Sequence, residues 1–167
     1  VASAVTHLHN MRFLHRDLKS RNFLCTGRIT KLCDFGDTVC FGGGRLDERV
    51  GTLQYMAPEV LVACYPRIVF GPQAPQAPQA PGGALSPECC PGPGGSRQVE
   101  GVPGGEGQND WEGEPRYDSA CDVYAMITVI WECFTRRSPY DGLAHADGTL
   151  VGKMDLIRWV SHGRICP

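Results

Sequence analysis

Apolar residues recur at helical spacing near both ends of this chain. At the beginning, Val1, Val5 and Leu8 are four and three residues apart, which places them on one face of a short helix. Further on, the run CDVYAMITVIWECF at 121–134 is apolar on nearly every side, which is typical of a helix buried at the centre of a domain. A weaker helical pattern at 154–163 follows it.

Two short strands and a loop are predicted between these helices. The segments 23–26 and 29–33 flank Gly27, which indicates a hairpin with a tight turn. The next segment, 37–50, is polar and rich in Gly, and it has neither a helical nor a strand period. We therefore expect a loop there, closed by the more apolar sequence at 51–61.

A low-complexity stretch interrupts the pattern. Residues 71–107 contain 18 Gly or Pro among 37, and PQA occurs three times over at 72–80. Such repeated Pro favours extended polyproline II, and the Gly-rich remainder favours flexible coil. We divide the chain into a folded part at 1–66, an insert at 67–114 expected to be disordered, and a second folded part at 115–167. The insert is either a tolerated low-complexity segment or a docking site for a proline-recognising module.

Charge and cysteine content exclude several classes of function. Sixteen basic and eighteen acidic residues give a net charge of −2, which excludes a strongly basic nucleic-acid binder. No apolar run is long enough to cross a bilayer, and the first residues do not resemble a secretory leader, so we expect a cytoplasmic location. The nine Cys include no CxxC pair, which argues against zinc and for small buried hydrophobic side chains.

The residues with the clearest chemistry lie in HRDLKSRN and in the DFG tripeptide that follows it. Asp17, Asn22 and Asp34 are the polar groups that phosphoryl transfer requires. A carboxylate beside an attacking hydroxyl orients it and accepts its proton, while carboxylate and amide oxygens are suitable ligands for Mg²⁺. Lys19 can neutralise negative charge on the moving phosphoryl group.

The motifs HRDxKxxN at 15–22, DFG at 34–36 and APE at 57–59 resemble the catalytic, metal and activation-segment motifs of eukaryotic protein kinases. The resemblance covers residues 1–66 and about 115–167. It implies a mainly α (α+β) fold, the C-terminal lobe of a kinase, in which a short β-hairpin carries the catalytic and DFG loops. Only fourteen residues precede the first motif, so the chain is interpreted as a truncated fragment with the N-terminal lobe absent.

The resemblance also implies an activity, its cofactors and its site. A kinase of this kind transfers phosphate from ATP to Ser or Thr of a protein substrate with Mg²⁺ and acts in signal transduction. Asp17 and Lys19 would be catalytic. Lys19, Asn22, Leu24 and Asp34 would contact ATP, and Asn22 and Asp34 would bind the metal.

Four further residues match positions in and near the activation segment. Arg16 would receive a phosphate carried on the segment 37–56, where Thr38 is the preferred candidate. Thr52 matches a position that hydrogen-bonds the catalytic Asp and Lys, which implies a structural role. Glu59 would pair with an Arg beyond the last residue, and an unmatched buried partner costs about 3–5 kcal/mol.

Supporting positions are implied outside the activation segment as well. His15 and Phe35 match two members of a stacked apolar spine. Asp122 resembles a buried Asp at a helix start that anchors the catalytic loop, and as an N-cap it would contribute about 1 kcal/mol. Cys33 directly precedes Asp34, so an electrophilic ligand in the nucleotide pocket would reach its thiol if it is not simply a packed strand residue.

Details of the motifs bear on the substrate. Lys19 and the sequence GTLQYMAPE, which lacks Pro-Trp, resemble serine/threonine kinases. Arg21 before Asn22 and the run at 122–140 resemble the tyrosine-kinase-like group, so we choose a serine/threonine kinase of that group and leave dual specificity open.

The sequence also departs from the kinase pattern. It contains no GxGxxGxV loop and no strand Lys with its partner Glu, so we expect little or no activity from the isolated 167-residue chain. Two hypotheses follow: the chain is the catalytic lobe of a longer active kinase, or it is a non-catalytic lobe that acts as a docking or scaffold module.

Overall fold

The computed structural model describes residues 1–41, 49–72 and 118–166. These residues are mainly helical with a few short strands, as the sequence predicts. None of their helices is long and apolar enough to cross a membrane. The helices are α1 (Ala2–Asn10), α2 (Pro58–Cys64), α3 (Pro66–Phe70), α4 (Ser119–Thr135) and α5 (Lys153–Ser161); the strands are β1 (Phe13–Leu14), β2 (Phe23–Thr26), β3 (Ile29–Leu32) and β4 (Val39–Cys40); single 3₁₀ turns occupy Ser20–Asn22 and Leu53–Tyr55.

The hairpin of β2 and β3 has the predicted position. The strands pair antiparallel with Phe23 opposite Leu32 and Thr26 opposite Ile29. Gly27 makes the turn at a φ of +60°, a region that costs other residues free energy because of their Cβ atom. The second strand ends one residue earlier than predicted, at Leu32.

A second strand pair was not predicted. Leu14 of β1 lies opposite Val39 of β4, and Phe13 lies opposite Cys40. The expectation that 37–50 contains no strand is therefore wrong at these two residues, because a strand of two residues is too short to produce a period and depends on its partner. Residues 42–48 of this loop lie outside the described residues.

Two apolar clusters form the core, and α4 contributes to both. The smaller cluster joins α1, the loop after β1 and α4 through Val5, Leu18, Tyr55, Ala125 and Val129. The larger cluster joins β1, α2, α4 and α5; its buried residues are Leu14, Met56, Ala57, Val60, Leu61, Cys64, Cys121, Leu156, Ile157 and Val160.

Helix α4 is less buried than its composition suggests. Cys121, Ala125 and Val129 face the core, whereas the side chains of Ile127 and Phe134 are 58% and 86% exposed in the described structure. The prediction of a helix buried on all sides is therefore wrong for the outer face. Burial requires covering elements, and among the described residues the contacts of α4 are chiefly with α1 and with the 3₁₀ turn before α2.

Helical structure extends beyond the predicted boundary at residue 66. Helix α3 runs to Phe70, and the Ile68 carbonyl accepts a hydrogen bond from the Arg158 guanidinium of α5 at 3.0 Å. The rest of the predicted insert, 73–114, lies outside the described residues, and so does almost all of the PQA repeat. Its disorder and its docking role stay predictions.

Candidate active site

The side chains of Asp17, Lys19 and Thr52 form a hydrogen-bonded triangle. Asp17 and Lys19 lie in the loop after β1, and Thr52 lies directly before the second 3₁₀ turn. The Thr52 hydroxyl donates to Oδ1 of Asp17 at 2.8 Å, and the Lys19 ammonium lies 2.5 Å from Oδ2. Lys19 also lies 3.3 Å from the Thr52 hydroxyl oxygen, so two segments 33 residues apart fix one carboxylate.

The hairpin brings Cys33, the residue before Asp34, against Asn22. Asn22 is buried, and its amide nitrogen donates to the Asp17 carbonyl at 2.9 Å, which leaves its side-chain oxygen for another partner. The backbone N–H of Cys33 donates to the Asn22 carbonyl at 2.9 Å, and the Cys33 thiol approaches the same oxygen at 3.3 Å. Asp34 follows immediately, exposed and at a φ of +66°.

His15 links the two halves of the site. Its imidazole is fully buried, and Nε2 donates to the Cys33 carbonyl at 3.1 Å. Nδ1 is then left as an acceptor for the Asp17 backbone N–H at 3.4 Å. The His15 and Phe35 rings lie 5.4 Å apart, so the two residues that match the apolar spine are in contact.

Asp122 holds the backbone of the loop. The Asp122 carboxylate is 1% exposed and accepts from the backbone N–H groups of His15 at 2.8 Å and Arg16 at 2.9 Å. The expectation that Asp122 is the helix N-cap is wrong, because Asp118 caps α4 by accepting from Ala120 N–H at 2.7 Å. Asp122 lies one turn further on, where its side chain reaches the loop instead of its own helix.

Sequence reasoning missed His9 of α1. Its Nε2 lies 2.9 Å from Oδ2 of Asp122, and since an ionised carboxylate only accepts, His9 is the donor. The His9 ring is mostly buried. Its position in the helical pattern gave no signal, because the partner is 113 residues away in the sequence.

A close backbone approach supports the same loop. Arg16 has a φ of +67°, a left-handed conformation that costs a residue with a Cβ atom about 1–2 kcal/mol. Gly51, at a φ of +101°, lies against the Arg16 carbonyl, and a Cβ atom on Gly51 would be only 2.7 Å from that oxygen. A glycine is therefore required at position 51.

Arg16 also contacts the start of the activation segment. Its Nε donates to the Asp37 carbonyl at 2.6 Å. The hydroxyl of Thr38, the candidate phosphorylation site, is buried and makes no hydrogen bond in the described structure. Phosphorylation would require the Thr38 side chain to turn outward, and this role stays a prediction.

Leu24, which was expected to contact ATP, is open, and so is Phe35 next to Asp34. The side chains of Leu24 and Phe35 are 53% and 51% exposed among the described residues. Glu59 is exposed as well, in the first turn of α2, where an acidic group is favourable. The expected penalty for an unmatched buried Glu59 is therefore wrong for this structure, since water solvates the carboxylate.

A polar recess of about 290 Å³ adjoins the triangle. Tyr55 donates its hydroxyl to Oε2 of Glu132 at 2.6 Å, and Ser20 lies 3.4 Å from the same Tyr55 oxygen. Burial, followed by the bond to Glu132, raises the pKa of Tyr55 above its usual value. The recess is lined by Lys19, Ser20, Arg21, Thr52, Gln54, Tyr55, Glu132 and Ser138.

The donor set suits a magnesium–nucleotide complex better than a metal bound by protein alone. Among the described residues, no three His, Cys, Asp or Glu side chains are grouped closely enough to hold an ion. Asn22 and Asp34 offer hard oxygen ligands, and Mg²⁺ usually retains water and phosphate oxygens in addition to one or two protein ligands. The residues present therefore fit the expected cofactors.

Comparison with known proteins agrees with this geometry. Residues 1–68 match the family model described as the protein kinase domain. A probable serine/threonine-protein kinase of Encephalitozoon cuniculi is 39% identical over 61 residues, which are 36% of this chain and 12% of that protein. A probable myosin light chain kinase of Dictyostelium discoideum is 44% identical over 66 residues, which are 36% of this chain and 19% of that protein.

One similarity continues past the family match. A probable LIM domain-containing serine/threonine-protein kinase of Dictyostelium discoideum is 28% identical over 144 residues, which are 86% of this chain but 10% of that protein. The chain thus spans a small part of each of these curated relatives. Together, the family match and the relatives support a protein kinase fragment.

Proposed function

We propose that this chain is the C-terminal lobe of a serine/threonine protein kinase and carries the catalytic residues of a longer enzyme. The observation that carries the proposal is the placement of Asp17 between Lys19 and Thr52, close to Asn22. An isolated Asp in a surface loop needs no such support. A carboxylate fixed by an ammonium and a hydroxyl is oriented for a substrate.

The proposal gives each residue a step. Both Asp17 oxygens accept from the protein and keep lone pairs for one more donor, the Ser or Thr hydroxyl of a protein substrate. That hydroxyl attacks the γ-phosphorus of ATP, the bond to the bridging oxygen of ADP breaks, and the substrate proton passes to Asp17. Lys19 neutralises charge on the transferring group.

The nucleotide side would be completed by Asn22, Asp34 and Leu24. The first two would hold Mg²⁺, which neutralises the phosphate charge when bound, through the amide and carboxylate oxygens. Leu24 would lie beneath the adenine as an apolar surface. Its side chain is 53% exposed in the described structure, so it is accessible to such a ligand.

The choice of Ser/Thr over Tyr rests on Lys19, on Thr52 and on the relatives named above. Thr52 donates to Asp17 and accepts from Lys19, so it helps to fix the carboxylate that would receive the substrate hydroxyl. Membership of the tyrosine-kinase-like group rests on Arg21 and on the sequence of α4.

Phosphoryl transfer by the natural protein that contains this sequence tests the proposal. With radiolabelled ATP and a mixed protein substrate, we expect Mg²⁺-dependent phosphoserine and phosphothreonine. Asp17→Asn should lower the rate by about 10²–10⁴, the usual contribution of a positioned general base. Asp147→Asn, a change at an exposed turn carboxylate, is the matched control and should leave the rate unchanged. Equal rates for Asp17→Asn and the parent protein would refute the catalytic role.

The second candidate is a non-catalytic docking lobe. If the natural protein transfers no phosphate but the chain retains protein substrates, the docking function replaces the catalytic one.

A further inference from the structure

Phe41, the last residue described before the gap at 42–48, contacts His9 of α1 and Arg12 in the turn after α1. Its backbone N–H donates to the Arg12 carbonyl at 2.8 Å, next to the pairing of β1 and β4. The Arg12 guanidinium lies over the Phe41 ring, 5.3 Å from its centre, and the His9 ring meets Phe41 edge to face at 5.8 Å. Such ring and cation contacts favour one placement of the aromatic side chain.

His9 connects this aromatic contact to the catalytic loop. Its Nε2–H must point at Asp122 for the 2.9 Å bond to form. The other Asp122 bonds hold the N–H groups of His15 and Arg16, directly before Asp17. Phe41, His9 and Asp122 thus form a continuous series of contacts from the activation segment to the backbone beside Asp17.

We propose that Phe41 is a positioning residue for the catalytic loop and acts through His9. The Phe41 ring covers the imidazole and keeps its Nε2–H on Asp122, so that placement of the activation segment stabilises the left-handed turn at Arg16. When Phe41 leaves this site, water reaches His9 and the loop loses one of its supports. The inference uses the proposed function only in describing the loop as catalytic.

Hydrogen exchange and nitrogen NMR of the whole 167-residue chain test the inference without an activity assay. Phe41→Leu keeps an apolar side chain but removes the ring. We expect the backbone amides of His15 and Arg16 to exchange about tenfold faster, since a local support of the loop is lost. The His9 ring nitrogens should change from one fixed tautomer to an exchanging mixture.

Three variants separate a positioning role from a general loss of stability. Phe41→Tyr retains the ring and should restore both signals. Phe70→Leu makes the same change at an exposed ring, and should leave both signals as in the parent chain. In a His9→Gln background, Phe41→Leu should have little further effect on the His15 and Arg16 amides, because the connecting imidazole is already gone.

The inference fails if Phe41→Leu leaves the His15 and Arg16 amides and the His9 tautomer unchanged. It also fails if the effect of Phe41→Leu is undiminished in the His9→Gln background, which would mean that Phe41 acts by another route. Neither result depends on phosphoryl transfer, so failure of the proposed function is detected separately, by the radiolabelled assay.

Discussion

The loop around Asp17 and the hairpin that leads to Asp34 meet at one site but are built differently. Beside Asp17, the chain supplies Lys19 and Thr52 as side-chain partners, and Asp122 holds the backbone from another helix. The two strands of the hairpin pair with each other, and Phe23 and Leu32 pack against the core, whereas Leu24 and Ile29 are exposed in the described structure.

The difference teaches which half of the proposed reaction the described structure supports. Asp17, which would orient the attacking hydroxyl, is already held by Lys19 and Thr52. Leu24, which the proposal places beneath the adenine, is 53% exposed on the hairpin. The hydroxyl side of the proposed site is therefore preorganised, and the nucleotide side is open.

The largest expected effect on the stability of the folded chain comes from a change at Asp122, which supports the loop around Asp17. Asp122→Asn places an amide donor opposite backbone N–H groups, so we expect a loss of about 3 kcal/mol in the free energy of unfolding, the value of one strong charged hydrogen bond. Urea unfolding measures it. Asp118→Asn is the matched control on the same helix, because Asn caps helices nearly as well as Asp, and should change stability by less than about 0.5 kcal/mol. Equal effects would contradict the anchoring role of Asp122.

A smaller effect on stability is expected from replacing glycines, and the comparison of Gly51 near the Asp17 loop with Gly27 in the hairpin tests how closely each region is packed. Gly51→Ala should cost more than about 2 kcal/mol, because left-handed strain is added to a clash with the Arg16 carbonyl. Gly27→Ala in the hairpin turn has open space around the added methyl group, so its cost should be the strain alone, about 1 kcal/mol. Thermal unfolding of both variants checks that Gly51→Ala is the more destabilising. Equal destabilisation by the two variants would contradict the close packing of Gly51 against Arg16.

The smallest expected effect is a loss of stability at alkaline pH. Burial raises the pKa of the Cys121 thiol to about 12, above its ordinary value of 9.0. A raised pKa stabilises the folded chain below pH 9, and this contribution is lost as the pH rises from 9 towards 12. Between pH 7 and pH 10 we expect the free energy of unfolding to fall by about 1.4 kcal/mol, one pH unit's worth of linkage.

Cys121→Ala should remove this contribution, as measured by urea unfolding at each pH. Cys25→Ala, the same change at an exposed position of the hairpin, is the control and should retain it. An undiminished fall in Cys121→Ala would assign the alkaline sensitivity to other groups. Burial also raises the pKa values of Tyr55, Tyr124 and Tyr140, so these groups leave a smaller fall near pH 10 in every variant.

Much of the local structure followed from sequence patterns. The spacing of Val5 and Leu8 predicts α1, and the residues around Gly27 predict the hairpin to within one residue. The motifs predicted which side chains meet, since Asp17, Lys19 and Thr52 are in contact. The predictions of α1 and the hairpin rest on neighbouring residues, and the contact of Asp17, Lys19 and Thr52 was predicted from motifs whose separation in sequence a loop can bridge.

Other features depend on partners far away in the sequence and were missed or misjudged. The strand at Val39 exists because it pairs with Leu14. The exposure of Ile127 and of Glu59 reflects which elements cover them, and composition alone does not encode that. The bond from His9 to Asp122 likewise joins residues that no periodicity relates.

The sequence by itself determined which chemistry is proposed for this protein, because the residue types and their order in HRDLKSRN and DFG are those that could orient a hydroxyl and bind magnesium. It also determined α1 and the hairpin, through the periods of their apolar residues. Only the tertiary structure decided that Asp122 anchors the loop instead of capping its helix. It also decided that His9 contacts Asp122 and that Phe41 contacts His9. Such contacts depend on how separate elements pack, and packing brings together residues that sequence spacing leaves unrelated.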